Sequence, residues 1–87
     1  MHKVEVILNN ETGLHARPAS LFVKEAGKFL SNIFIEKDEK EYNAKSIIAI
    51  LSMAAEKGDK LIIKANGEDA KESVEVLKGL IDNNFGE

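Results

Sequence analysis

The sequence predicts a small α+β domain in the element order β-α-β-β-α-β-α, with an antiparallel sheet covered on one face by helices. Residues 3–8 alternate apolar and polar side chains, as half-buried strands do, and residues 60–65 form an apolar run of strand length. Two longer segments, 16–28 and 69–83, repeat apolar residues every three or four positions, which indicates amphipathic helices. Because these apolar faces need a common core, the simplest packing places the helices on one side of the sheet.

The first half of the chain is predicted to contain a strand, a helix and a hairpin. The strand over 3–8 points Val4, Val6 and Leu8 inward, and a loop at 9–14 follows it. The helix runs from Ala16 to Lys28, and Gly27 marks its exit. Its buried stripe is predicted to be Ala19, Phe22, Ala26 and Phe29, widened by Val23 and Leu30. Strands at 32–37 and 41–43, joined by the polar turn 38–40, complete the hairpin.

The second half is predicted to contain a short helix, a central strand and a long helix. Ser46 is a preferred N-cap residue and opens the short helix, which ends near Ala54 and Ala55. The apolar strand at 60–65 is predicted to be central in the sheet. The last helix, 69–83, has its buried stripe at Ala70, Val74, Leu77 and Ile81.

The short helix is unusual because it is apolar nearly all round. Ile50 and Ala54 are predicted to face the core, whereas Ile47, Ile48 and Leu51 point elsewhere. Two interpretations remain open for that second face. It is either an exposed patch on which a protein docks, or a face buried by the rest of the chain.

The composition limits the class of protein. Eighty-seven residues suffice for one domain with one core, so residues 1–87 are expected to form a single domain. The chain has no cysteine, no apolar run of membrane-spanning length and no apolar signal segment, so we expect a cytoplasmic protein. A net charge of −3 with no basic stripe argues against nucleic-acid binding. Arg17, Lys24 and Lys28 form either a positive edge of the first helix that meets an acidic partner or a solvated helix face.

The stretch GLHARPA at residues 13–19 carries the strongest chemical signal. His15 lies where the loop gives way to the helix, and a helix start leaves backbone N–H groups that attract an anion. Arg17 supplies the only guanidinium, and Pro18 suits the first helical turn. We therefore predict a phosphate site at Thr12, Ala16, Arg17 and Pro18, with His15 as the reacting group. No metal site is predicted, because no second histidine lies nearby and cysteine is absent.

GLHARPAS, followed about thirty residues later by Asn43-Ala44-Lys45-Ser46-Ile47, resembles the HPr family of histidine-containing phosphocarrier proteins. The resemblance extends from Val4 to Phe85. It implies an open-faced β-sandwich and a monomer without a cofactor. It also implies that His15, through Nδ1, accepts a phosphoryl group from enzyme I and passes it to sugar-specific A domains of transporters. The protein is then a carrier in a phosphotransferase pathway and not an enzyme.

The resemblance implies a second phosphorylation site at Ser46. In one branch of the family, an HPr kinase/phosphorylase modifies the serine here, and the product acts with a catabolite-control transcription factor. The expected docking residues are Lys24, Ile47, Ile48 and Leu51. The chain departs from the commonest family pattern at Ile48, Ala49, Met53 and Ala54, which bears on partner preference.

Three alternatives to the carrier remain. A regulatory corepressor would act through Ser46 and the apolar helix with His15 silent, although the family's regulatory paralogue replaces this histidine. A ligand-binding sandwich would need a pocket of convergent polar groups, and no glycine-rich nucleotide loop is present. An independent enzyme is disfavoured because no nucleophile–base pair or carboxylate pair is recognisable.

Overall fold

The computed structural model describes residues 1–86, which form four strands and three helices in the predicted order. A final 3₁₀ turn spans Asn84–Gly86. The elements are β1 (His2–Ile7), α1 (Ala16–Ala26), β2 (Asn32–Lys37), β3 (Lys40–Asn43), α2 (Ile47–Ser52), β4 (Lys60–Asn66) and α3 (Ala70–Asp82).

The strands form one antiparallel sheet in the order β1-β4-β2-β3. β4 is central, as its apolar sequence predicts, and pairs Val6 with Leu61 on one side and Ile35 with Ile63 on the other. These four side chains are buried. The predicted fold class is therefore confirmed: an open-faced sandwich in which three helices cover one face of a four-stranded antiparallel sheet.

The two faces of the sheet have different side chains. The covered face contributes to one continuous apolar core, which also contains the predicted stripes of α1 and α3: Ala19, Phe22, Ala26, Ala70, Val74, Leu77 and Ile81. On the open face, Lys64 bridges the carboxylates of Glu36 and Glu41, and these hydrogen bonds raise the pKa of Lys64. Within residues 1–86, no helix is both long and apolar enough to cross a membrane.

Two predictions at the end of α1 are wrong. The helix ends at Ala26 and not at Lys28, with Gly27 as its C-cap, so the predicted exit at Gly27 is confirmed; beyond it, the Lys28 and Phe29 N–H groups bond three residues back and not four. Leu30 does not widen the buried stripe, since it lies beyond the helix end in a turn and is 81% exposed. The three- and four-residue spacing of α1 therefore does not predict burial at residue 30.

The end of α2 also differs from the prediction. The helix ends at Ser52, and Ala54 has a left-handed φ of 53°, so the spacing that paired Ile50 with Ala54 is broken. Ala54 is exposed, and Met53 is buried instead. Lys37 supports the turn after α2, because its ammonium donates to the Met53 carbonyl at 3.1 Å.

The turn between β2 and β3, predicted at 38–40, is one residue shorter, since β3 begins at Lys40.

Asp69 connects the start of α3 to the loop before β2. Its carboxylate accepts hydrogen bonds from the Leu30 N–H at 2.8 Å, the Ser31 N–H at 2.9 Å and the Ser31 hydroxyl at 2.5 Å. Although Asp69 is the N-cap residue of α3, its side chain does not cap that helix. The Ser31 hydroxyl, followed by the Leu30 N–H, holds the pKa of Asp69 below its ordinary value of 3.8.

This tie predicts a pH-dependent contribution to stability. Because the pKa of Asp69 is lower in the folded than in the unfolded state, its contribution is complete above pH 3.8 and is lost as the pH falls below that value. Urea unfolding at several pH values should show that Asp69→Asn is less stable than the wild type at pH 7. The difference should shrink in acid. Glu68→Gln, at the exposed neighbouring position, should show no such loss at pH 7. A difference for Asp69→Asn that stays constant with pH would contradict this account.

Candidate phosphoryl-acceptor site

The loop between β1 and α1 is pressed against the segment that follows α2. The Leu14 N–H donates to the Ala55 carbonyl at 3.0 Å, and Leu14 is buried. Gly13 has a φ of 62°, and a Cβ there would lie 2.5 Å from the Ala55 oxygen and 2.8 Å from Glu56 Cα. Only glycine fits both this backbone conformation and this close approach. The contact fixes where α1 begins.

His15 is the N-cap residue of α1, as the sequence predicts, and its side chain is exposed. Its backbone is extended (φ −79°, ψ −173°), and its carbonyl accepts the Ala19 N–H at 2.8 Å. The imidazole makes no capping hydrogen bond. The first helical N–H groups, those of Ala16 and Arg17, therefore lack the side-chain acceptor that a serine or aspartate would supply. They remain available to an anion beside the imidazole.

Pro18 and Arg17 complete the first turn in different ways. Pro18 is buried, has no N–H and occupies the third helical position, so no donor is left unpaired there. Arg17 is exposed, and its guanidinium pairs with no carboxylate within residues 1–86. The positive end of the helix and a guanidinium that forms no ion pair within residues 1–86 thus both belong to the first turn of α1.

An open cleft of about 470 Å³ lies beside His15. Its other lining residues are Leu14, Ala16, Leu51, Ala54, Ala55 and Glu56. Leu51 brings α2 to the wall of this cleft, and α1 and α2 pack against each other. A group carried on His15 is therefore accessible from outside, next to an apolar surface of α2.

Ser46 and the exposed side chains of α2 form the second predicted region. The Ser46 hydroxyl accepts the Ala49 N–H at 3.2 Å, so the predicted N-cap is confirmed. Ile47, Ile48 and Leu51 are 36%, 78% and 42% exposed. We call these three side chains the α2 patch. Lys24 lies exposed in the last turn of α1, the helix packed on α2.

The sequence analysis did not identify Asn10 as part of this region. Asn10 is only 4% exposed, and its amide donates to the Gly13 carbonyl at 2.8 Å and to Thr12 Oγ1 at 3.3 Å. Its own Oδ1 is buried and accepts no hydrogen bond from another protein group within residues 1–86. Asparagine is common in turns, and no local pattern distinguishes a buried one from an exposed one.

Comparisons with known proteins agree with this geometry. A family model described as the PTS HPr component phosphorylation site matches residues 2–83. The HPr-like protein Crh of Bacillus subtilis is 49% identical over 79 residues, 91% of each chain. The phosphocarrier protein HPr of Mycoplasma capricolum is 45% identical over 78 residues, 90% of this chain and 88% of its own.

Solved structures give the same assignment. HPr from Thermoanaerobacter tengcongensis superposes with a TM-score of 0.97 at 47% identity, over 100% of this chain and 98% of its own. A Crh structure from Bacillus subtilis, described as a swapped dimer, has a TM-score of 0.77 at 43% identity over 97% of each chain. Because such a relative dimerises, membership of the family does not establish the expected monomer. The match over residues 2–83 nevertheless shows that the chain belongs to the HPr family of phosphocarrier proteins of the phosphotransferase system.

Proposed function

We propose that residues 1–87 act as a single carrier domain that accepts a phosphoryl group on His15 from enzyme I and passes it to sugar-specific A domains. The observation that carries this proposal is the exposed His15, which makes no capping hydrogen bond at the start of α1, next to Arg17, which forms no ion pair within residues 1–86. The exchange is proposed to take place in the cytoplasm, as expected for the family.

The transfer forms one P–N bond and breaks another. A lone pair on a ring nitrogen of neutral His15, Nδ1 by family resemblance, attacks the phosphorus atom on the donor histidine. The donor's P–N bond breaks, and its electron pair stays with the donor nitrogen. Phosphoryl transfer depends mainly on positioning and charge stabilisation. Thr12, the N–H groups of Ala16 and Arg17 and the Arg17 guanidinium are the proposed phosphate ligands.

A carrier must also release its phosphoryl group. A helix N-terminus at the surface contributes about 0.3–1 kcal/mol toward an anion, and an exposed ion pair about 0.2–1 kcal/mol. His15 and Arg17 are both exposed, so their contributions lie in this small range. The proposed site therefore stabilises the phosphoryl group without trapping it. A deep, enclosed pocket would bind the phosphoryl group more tightly and would suit a carrier less well.

The α2 patch and Lys24 are the proposed docking surface for both partners. Leu51 belongs to the patch and also lines the His15 cleft, so a protein seated on the patch would reach the histidine. Lys24 and Arg17 would favour partners with acidic groups around an apolar centre.

A phosphotransfer assay tests the carrier role. The protein is incubated with phosphoenolpyruvate, Mg²⁺ and a compatible enzyme I, and its intact mass is measured. We expect an acid-labile, alkali-stable phosphate on the wild type and none on His15→Ala. His2→Ala, which changes the only other histidine, should be phosphorylated normally. Arg17→Ala should react up to about fivefold more slowly, since an exposed ion pair contributes at most about 1 kcal/mol.

Two outcomes would contradict the carrier role. One is a wild-type protein that stays unmodified although the same enzyme I phosphorylates a known HPr. The other is His15→Ala that still gains an acid-labile phosphate.

We propose regulation through Ser46 as a second function, which in the absence of transfer to His15 would be the main one. Two observations favour it: Ser46 caps α2 beside the α2 patch, and the similar protein Crh is named the catabolite repression HPr of Bacillus subtilis. Phosphate is electrostatically favourable at a helix N-terminus, so modification need not unfold α2. The added charge would change which partner binds the patch, with a catabolite-control transcription factor as the proposed regulatory partner.

The Ser46 proposal is tested with HPr kinase/phosphorylase and ATP. We expect an acid-stable phosphate on the wild type, none on Ser46→Ala and full modification of Ser52→Ala, a change of the other serine near this helix. Modification that survives in Ser46→Ala, or its absence from the wild type, would refute this assignment.

A further inference from the structure

Asn10 organises the loop that precedes His15. It is 4% exposed, and its two amide hydrogens serve the Gly13 carbonyl at 2.8 Å and Thr12 Oγ1 at 3.3 Å. The main chain closes the same turn, because the Gly13 N–H donates to the Asn10 carbonyl at 3.2 Å. Three residues lie between Asn10 and Leu14. The Asn10 side chain bonds to two of them, Thr12 and Gly13, and the third, Glu11, is exposed.

The hydrogen bonds of the buried Asn10 side chain indicate that it serves as a donor and not as an acceptor. Its Oδ1 accepts no hydrogen bond within residues 1–86, and a buried, unpaired acceptor lowers stability. An apolar side chain in this position would avoid that loss. What an apolar side chain cannot supply is the pair of amide donors to Gly13 and Thr12.

The bond to Thr12 determines how that hydroxyl can be used. Because Thr12 Oγ1 accepts a hydrogen from Asn10, one of its lone pairs is occupied and its own proton is free for another acceptor. Thr12 is exposed, three residues before His15. The opposite side of the loop is fixed by the Leu14–Ala55 hydrogen bond, so Asn10 supplies the constraint on the Thr12 side.

We propose that Asn10 is a positioning residue that presents the Thr12 hydroxyl as a donor to the phosphoryl group on His15. The proposal rests on the carrier role proposed above. Asn10 does not contact the phosphoryl group itself and acts through Thr12. Its removal should therefore slow transfer more when Thr12 has a hydroxyl than when it does not.

A double-mutant cycle tests this dependence. The rate of phosphoryl transfer from phosphorylated enzyme I is measured for the wild type, Asn10→Ala, Thr12→Val and the double variant. We expect each single variant to be about 3- to 10-fold slower, as for the loss of one hydrogen bond. In the Thr12→Val background, Asn10→Ala should change the rate less than about twofold, because the two residues act as a unit. Thr12→Ser, which keeps the hydroxyl, should retain most of the wild-type rate.

Ser73→Ala provides a matched structural control. Ser73 is fully buried on α3, and its hydroxyl donates to the Ala70 carbonyl at 2.7 Å. Its variant removes one buried polar group far along the chain from the loop, so it should lose stability in urea while keeping the transfer rate. Thr12 is exposed, so Thr12→Val is expected to fold, and a wild-type rate for this variant overturns the proposal even if Asn10→Ala fails to fold.

The outcomes separate this proposal from the carrier role. If the wild type is phosphorylated on His15 and Thr12→Val or folded Asn10→Ala reacts at the wild-type rate, the positioning role is overturned and the carrier role stands. Equal slowing by Asn10→Ala in both Thr12 backgrounds also overturns it, because Asn10 would then act independently of Thr12. A wild type that takes no phosphate on His15 overturns both.

Discussion

The contact between the loop before α1 and the chain after α2 determines the arrangement of the rest of the site. Leu14 donates to the Ala55 carbonyl, and Gly13 approaches Ala55 and Glu56 so closely that a Cβ cannot be placed. This contact sets the residue at which α1 begins, and hence puts His15 in the N-cap position. It also brings the end of α2 to the cleft beside the imidazole. One packing constraint thus places the histidine, the helix N-terminus and the apolar wall together.

The N-cap residues of α1 and α2 illustrate the difference between a residue that stabilises a helix and one that serves a function. Ser46 caps α2 with its hydroxyl, a bond that typically contributes about 1 kcal/mol. His15 occupies the same position on α1 and makes no such bond. The N–H groups of Ala16 and Arg17 consequently have no hydrogen-bond acceptor within residues 1–86, which disfavours the helix but leaves a site for an anion. Asn10 fits the same pattern, since its buried Oδ1 has no partner within residues 1–86 while its donors order the loop.

Much of the fold could be predicted from periodicity because local spacing and burial agree within α1, β4 and α3. The prediction was wrong where the spacing was continued past the end of a helix: Leu30 follows the Gly27 cap, and Ala54 itself has a positive φ. The N-cap positions of His15 and Ser46 could be predicted because local signals, Pro18 in the first turn of α1 and Ser46 itself, agree with where the helices begin. The role of Asn10 could not, because its burial depends on how distant segments pack around the loop.

The central claim is that free N–H groups at the start of α1 hold a phosphoryl group on His15. Its most direct test is to record the amide resonances of ¹⁵N-labelled protein by NMR before and after phosphorylation of His15. We expect the Ala16 and Arg17 amide protons to move downfield more than amides elsewhere, because they become donors to phosphoryl oxygens. If His15 carries the phosphoryl group while both amides stay unshifted, the helix N-terminus does not form the site and this account is wrong.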